Sequence, residues 1–494
     1  AVAARISVSQ RVRRWLAEAP LALYLGGVGL LVIDITAGLA ELAAGVRGNL
    51  YLYVGLLSLA ALAATAPAVA IVNWLATLTV LPRRLPRMDF AKGIPLEQAT
   101  LVVVPSLLTS LRSVDDLLNA LEVRFLGNRD QHLFFALLTD FADAATEICS
   151  EDEVLLQRAR EGIDRLNHQY PCEMQDAQRF LLLHRPRSWN ASAHVWMGLE
   201  RKRGKLAALN KAIQGGGLAA FSTVAGNLLA LPRIRYVITL DADTQLPRDA
   251  AQQFVAVMAH PLNKPLYAAD TQTGSPRIIG GYAILQPRMA AGLAGARRSR
   301  YVQLFGGEPG LDPYTRSVSD VYQDVFANGS FIGKGIYEVD AFERMLGKTL
   351  PDNRILSHDL LEGCYARSGL LSDVHLYEEP PARYDADMTR RERWLRGDWQ
   401  IARWLFPGVP GADGQARTNP LSALSRWKIL DNLLRSLVPA ALLLLLLAGW
   451  FVPGLTAAWW TLAILALLLV PRMLMTSARA RNSRASPRGS AARM

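Results

Sequence analysis

Two aspartates one residue apart, Asp241 and Asp243, close a short run of apolar and β-branched residues, Tyr236-Val237-Ile238-Thr239-Leu240. The run reads as a buried strand, and in open α/β sheets ligands bind beyond the carboxyl ends of such strands. Alternation along an extended backbone points both carboxylates the same way, which suits one hard cation. Mg²⁺ or Mn²⁺ keeps several waters and takes one or two carboxylates plus substrate phosphates, as in nucleotide-sugar sites. A solvated acidic turn closing a strand would be spelled the same way, so the pair gains meaning only from what surrounds it.

Other groups with chemical potential stand at the ends of predicted elements. Asp140 closes Phe134-Phe135-Ala136-Leu137-Leu138-Thr139, and Lys202-Arg203-Gly204-Lys205 opens a helix. His358-Asp359 precedes Leu360-Leu361, a polar start before an apolar run. Arg390 to Trp399 packs arginines among tryptophans, and Gly329-Ser330-Phe331-Ile332-Gly333-Lys334-Gly335 is a glycine-rich loop. That loop has neither the P-loop nor the dinucleotide spacing, so it reads as permissive backbone near a ligand.

The elements that must position these groups alternate. Strand patterns at 101–105 (ending in a turn), 134–140, 180–183, 236–240 and 278–287 are interleaved with helical patterns at 113–125, 150–167 and from 202. This predicts an α/β fold with a parallel sheet and right-handed crossovers.

The chain has 494 residues, 51% of them hydrophobic, and the apolar excess lies at its two ends. Runs at 21–40, 50–81, 437–452 and 455–470 predict four membrane-spanning helices in two pairs, since about 20 residues cross the hydrocarbon core. The first run resembles a signal peptide, but a second span close behind it argues for an anchor. Arginines precede the first span, follow the second and follow the fourth, while the two hairpin loops are nearly free of them. By the positive-inside rule both termini and the middle domain are cytoplasmic. The predicted layout is a basic N-terminus (1–20), a span pair (21–81), a cytoplasmic domain (82–424), an interfacial amphipathic helix (425–436), a second span pair (437–472) and a basic disordered tail (473–494). Flanking arginines account for the net charge of +11, and no zinc-finger or RNA-binding pattern argues for a nucleic-acid partner. The three scattered cysteines read as reduced and structural.

Asp140, the Asp241/Asp243 pair, Asp359 and then Arg390-x-x-Arg393-Trp394 follow one another as in processive family-2-type glycosyltransferases, to which cellulose synthase is similar in pattern. In detail the text resembles the cyclic β-1,2-glucan synthases, at Glu122–Leu126, Leu137–Phe141, Glu200–Leu206, Ser319–Asp324, Phe331–Tyr337 and Arg393–Gln400. The resemblance covers nearly the whole chain. It implies a GT-A fold, a mostly parallel sheet with helices on both faces inserted between two pairs of transmembrane helices. It also implies an inverting transfer of glucose from UDP-glucose to a growing glucan, in a bacterial-type inner membrane with the catalytic domain cytoplasmic.

On this reading Asp243, helped by Asp241, holds Mg²⁺ or Mn²⁺, and Asp359 is the base for the acceptor hydroxyl; as a bland alternative, Asp359 only caps its helix. Asp140 binds uracil. Arg203 and Lys205 pair with the diphosphate or line a solvated helix face. Arg393 binds phosphate, Trp394 offers the sugar a flat surface, and His358 orients its neighbours. Members of the family are understood to grow glucan on the protein itself. Tyr314, in a Pro/Gly-rich loop, is the expected attachment point, with Tyr322 as runner-up. Arg390 departs from the pattern, standing where many processive synthases have glutamine. The family's proteins are also much longer, with a glycoside-phosphorylase-like trimming region, so the chain is expected to be a fragment or a short form that relies on separate trimming. A β-1,4 or β-1,3 product, or an inactive component of glycan export, are the alternative functions.

Overall fold

The computed structural model describes residues 19–80, 84–172, 177–269, 276–292, 299–305, 320–347, 349–355 and 358–485. They fall into two compact units, one of residues 84–316 and 328–421, the other of residues 1–83, 317–327 and 422–494.

The first unit is built on one eight-stranded sheet. Its strands are Thr100–Leu108 (β1), Leu133–Phe141 (β2), Phe180–Arg185 (β3), Thr223–Ala225 (β4), Tyr236–Thr239 (β5), Ile284–Ala291 (β6), Gly335–Glu338 (β7) and Ser368–Glu378 (β8), in the order β8-β6-β7-β5-β1-β2-β3-β4. β1 pairs in parallel with both β2 and β5, β2 with β3, and β6 with β8. β7 and β4 join antiparallel. The mixed α/β class and the mostly parallel sheet are as the alternating pattern predicts.

The apolar sequence of β1 explains its central place. Val102, Val104 and Leu108 belong to a core cluster that includes residues of the Leu111–Gly127, Asp152–Gln169 and Ala250–Met258 helices. Leu101 and Val103 alternate to the other face and are just as buried, so both faces of the strand are covered. The strand does not turn at Pro105 but runs to Leu108. Its pairing with β5 ends at Val103, so Pro105 lies past the last ladder position on that edge, where a missing N–H costs little. The single strand expected over 278–287 is instead two, Pro276–Gly280 and Ile284–Ala291. Gly281 breaks it: its φ is +67°, and a Cβ there would lie 1.9 Å from the Lys264 carbonyl oxygen.

The second unit holds four helices long and apolar enough to cross a membrane, Pro20–Leu42, Leu50–Thr79, Ala423–Phe451 and the Ala457–Leu474 part of Ala457–Ala485. Two boundaries differ from expectation. The amphipathic stretch 425–436 is not a separate helix but the first turns of Ala423–Phe451, capped by Ser422 accepting from Ser425 N; no stop signal separates it from the apolar part, and the helix carries through Pro439. The tail does not become irregular at 473, because alanines and arginines extend the last helix to Ala485. Residues 1–18 and 486–494 lie outside the described residues.

A further difference concerns the middle of the chain. The short Val321–Phe326 helix, expected within the cytoplasmic domain, packs in the helical unit, with Val321 among Tyr24, Val28, Ala68 and Val69. Phe326 and Trp427 both meet the Tyr24 ring edge-on. The two interhelical loops also touch, since a Cβ on Gly45 would fall 2.0 Å from the Gly454 carbonyl oxygen.

Candidate active site

The Asp241–Thr244 turn is shaped from beneath by a buried cation. Arg124, on the Leu111–Gly127 helix, donates to the carbonyls of Ala242 (2.8 Å) and Thr244 (2.8 and 3.1 Å) and more distantly to Asp241 (3.3 Å). Asn128 holds the next turn through Pro247 O at 3.0 Å. Carbonyls drawn inward to one guanidinium fix the backbone, leaving the two aspartate side chains outside. The turn is also stitched to the end of β8 by a bridge between Gln245 and Tyr377.

Two lysines meet Asp241. Lys202 Nζ donates to Oδ1 at 2.6 Å, and Lys334 Nζ lies 3.0 Å from Oδ2 and pairs also with Glu378. Burial alone would raise this carboxyl; the two ammonium groups outweigh it and hold the group well below the usual carboxylate range. Asp243 stands exposed two residues on, with no hydrogen bond or ion pair among the described residues. Asp241, Asp243 and Glu378 each offer an oxygen, and these oxygens lie within 4.8 Å of one another. Three carboxylates are the donor set of a hard divalent cation, and the ammonium between Asp241 and Glu378 marks the place as one that collects positive charge. The residues present therefore fit Mg²⁺ or Mn²⁺.

Lys202 reaches further. The same ammonium donates to Gly333 O at 2.6 Å, tying the Asp241 turn to the glycine-rich loop. Asp359 lies against that loop. A Cβ on Gly333 would sit 2.7 Å from both Asp359 carboxylate oxygens, and Gly333 has φ +83°, so no other residue fits there without strain. Asp359 begins the Asp359–Tyr365 helix, whose N-cap is His358, so it is not the capping residue. Burial raises its carboxyl, Lys202 opposes that, and the Asp241 charge adds to the rise. Gly333→Ala should cost about 1–3 kcal/mol of stability, read from thermal unfolding; a wild-type unfolding temperature would show that the close approach does not matter.

Asp359 opens on a cleft of about 410 Å³ that is also lined by Lys202, Glu362, Arg393 and Trp394. The last two lie on the Tyr384–Gln400 helix. Arg390 lies over the Trp394 ring, 4.6 Å from its centroid, and both Arg390 and Arg391 pair with Asp387. The arginine that replaces glutamine thus braces the tryptophan. Arg393 lines the cleft with no ion pair among the described residues, a cation available to an anion.

The remaining expected residues are placed differently. Asp140 is 1% exposed and bound by Arg185 at 2.9 and 3.0 Å, with Lys205 Nζ 3.2 Å away. Lys205 donates to Ser106 O at 2.7 Å. It lies neither on a solvated face nor in the cleft; it is buried because Asp140 and Ser106 satisfy its charge. Arg203 lines the cleft but its guanidinium turns to Glu200 and to the carbonyls of Leu350 and Pro351. His358 Nε2 is 3.4 Å from Glu200 Oε2, beside Asp359. Tyr322, the runner-up, is 1% exposed and packs near Tyr24 and Phe326. Tyr314 lies outside the described residues.

Lys202, Lys334, Glu378, Arg124 and Arg185 carry charge here but were not singled out from sequence. Lys202 and Lys334 sit inside the motifs already quoted, but nothing in their spacing tied them to the paired acids. Glu378 had none, because only the adjacency of β8 to the Asp241 turn brings it in.

No protein-family profile matches the chain. Over 425 residues, 85% of its length, it is 41% identical to cyclic β-(1,2)-glucan synthase NdvB of Rhizobium meliloti, and it spans 14% of that protein. That identity sets the chain, by sequence, among the cyclic β-glucan synthases, along one segment of such a protein.

Proposed function

We propose that the chain is a membrane-bound, inverting glucosyltransferase that builds β-1,2-glucan from UDP-glucose. The observation that carries this reading is the convergence on one cleft of an available carboxylate (Asp359), the Lys202 ammonium that also holds Asp241, and the Arg393–Trp394 wall. Asp359 takes the proton of the acceptor hydroxyl as that oxygen attacks the anomeric carbon. The bond from that carbon to the diphosphate breaks on the opposite face, so an α-linked donor gives a β-glycoside and UDP departs with the electron pair. Lys202 and Arg393 orient and neutralise the diphosphate. Trp394 excludes water and gives the sugar ring an apolar face. A divalent cation on Asp241, Asp243 and Glu378 would offset the charge that develops on the leaving group. Asp140, neutralised beneath the strand ends, shapes the nucleoside side through Gly198, where a Cβ would meet its carboxylate at 2.1 Å.

The growing glucan is carried on Tyr314, a choice the burial of Tyr322 supports. Trimming and ring closure fall to a phosphorylase-like partner. Membranes bearing the chain, given radiolabelled UDP-glucose, should make alkali-stable glucan whose methylation analysis gives 1,2-linkages. A 1,3- or 1,4-linked product would change the product assignment, and no incorporation would remove the activity.

The catalytic unit and both termini are assigned to the cytoplasm, where UDP-sugars are made. Gly48→Cys, in the first interhelical loop, and Gly408→Cys, in the catalytic unit, are positions where an added side chain meets nothing. In intact cells an impermeant thiol reagent should label the first and not the second. The reverse pattern would invert the topology.

A further inference from the structure

Glu362 is used by none of the steps above, yet it lines the same cleft as Asp359. The two carboxyls lie three residues apart on the Asp359–Tyr365 helix and so share a face. Glu362 is 6% exposed, and no side chain donates a hydrogen bond to it among the described residues. Its acidic neighbours are provided for. Asp241 has Lys202 and Lys334, Glu200 has Arg203, and Glu343 accepts from Asn210 Nδ2 at 2.8 Å. A carboxylate buried without a donor is costly, and the same group as a neutral acid costs much less.

We propose that Glu362 is a positioning residue for Asp359, a carboxyl kept protonated so that Asp359 is the anion the cleft presents to the acceptor. The proposal rests on the role of Asp359 as base. The groups facing Glu362 are Asp359, Arg203, Lys202, Glu343 and the Tyr337 phenol. Burial and then Asp359 push its carboxyl up, with Glu343 adding to them, while Arg203 and Lys202 pull it down; the result is about 8. Two carboxyls in one cavity with environments that separate them make one acid and one base. The sign follows. Below that value Glu362 is neutral and Lys202 is left to Asp241 and the diphosphate. As pH rises through it, an ionised Glu362 draws Lys202 and Arg203 to itself, and turnover declines.

The test uses the full chain in an ester-free detergent, with two readouts. Infrared spectra at neutral pH should show a protonated-carboxyl C=O band that disappears in Glu362→Gln and in Glu362→Ala. In the wild type the band should bleach with a midpoint near 8. Glucose transfer measured on either side of that pH should decline in the wild type, and the high-to-low ratio should rise severalfold in Glu362→Gln, with KM for UDP-glucose changing less than kcat. A band that survives both substitutions, a midpoint in the ordinary glutamate range, or an unchanged alkaline decline would each overturn the assignment. If the chain transfers no glucose at all, the proposed activity fails while the infrared arm still decides the state of Glu362.

Discussion

Asp359→Asn should lower turnover by about 10²–10⁴-fold while leaving UDP-glucose affinity within about threefold. The amide keeps the size of the side chain but cannot accept a proton. On the proposed assignment the donor's contacts fall instead to Lys202, Arg393 and Trp394, which line the cleft with Asp359 and which the substitution leaves in place. Burial followed by Asp241 raises Asp359, and Lys202 restrains it, so wild-type turnover should increase with pH as this carboxyl ionises above its ordinary range. That rising limb should be absent from the residual activity of the asparagine variant. Equilibrium binding of UDP-glucose and single-turnover rates separate the possibilities. If binding falls as far as turnover, Asp359 belongs to the donor site or to the fold, and the base must be sought elsewhere in the cleft.

The strands that matter were legible because buried parallel strands are written as unbroken apolar runs. β2 and β5 stand where Phe134–Asp140 and Tyr236–Leu240 put them, and their carboxyl ends bear the acids. Asp359 was legible as an acid before an apolar helix, and Trp394 as an aromatic beside arginines. What spacing along a chain cannot give is adjacency across the sheet. Glu378 meets Asp241 through Lys334, contributed by the loop before β7, and sequence distance hides such a contact. Charged residues are ambiguous for a related reason. Lys202 and Lys205 stand on one helix within a single motif, yet one reaches the Asp241 turn and the other is sealed against Asp140. The Val321–Phe326 helix was read as part of the 82–424 domain, yet its apolar side packs with Tyr24 and Trp427 in the helical unit, a contact that sequence distance hides.

The metal offers the other large effect, and the three carboxylates are not equivalent tests of it. Removing Asp241 would take from Lys202 and Lys334 their shared partner, and removing Glu378 would leave Lys334 with Asp241 alone, so a loss of activity in either variant mixes fold with function. Asp243 is exposed, with no hydrogen bond or ion pair among the described residues and only a longer-range attraction to Arg124, so its loss disturbs the fold least. Asp243→Ala should therefore unfold at the wild-type temperature while transfer falls by about 10²-fold or more, the usual cost of removing one group that stabilises developing charge. EDTA should stop the wild type, and added Mn²⁺ or Mg²⁺ should restore it. Mn²⁺ binding followed by its paramagnetic resonance gives a readout apart from turnover, and it should weaken in the variant. Retention of near-normal transfer in EDTA would mean that Lys202, Lys334 and Arg393 neutralise the departing diphosphate by themselves. In that case Asp243→Ala should also be nearly silent, so the two experiments together decide whether a metal or the lysines carry that charge.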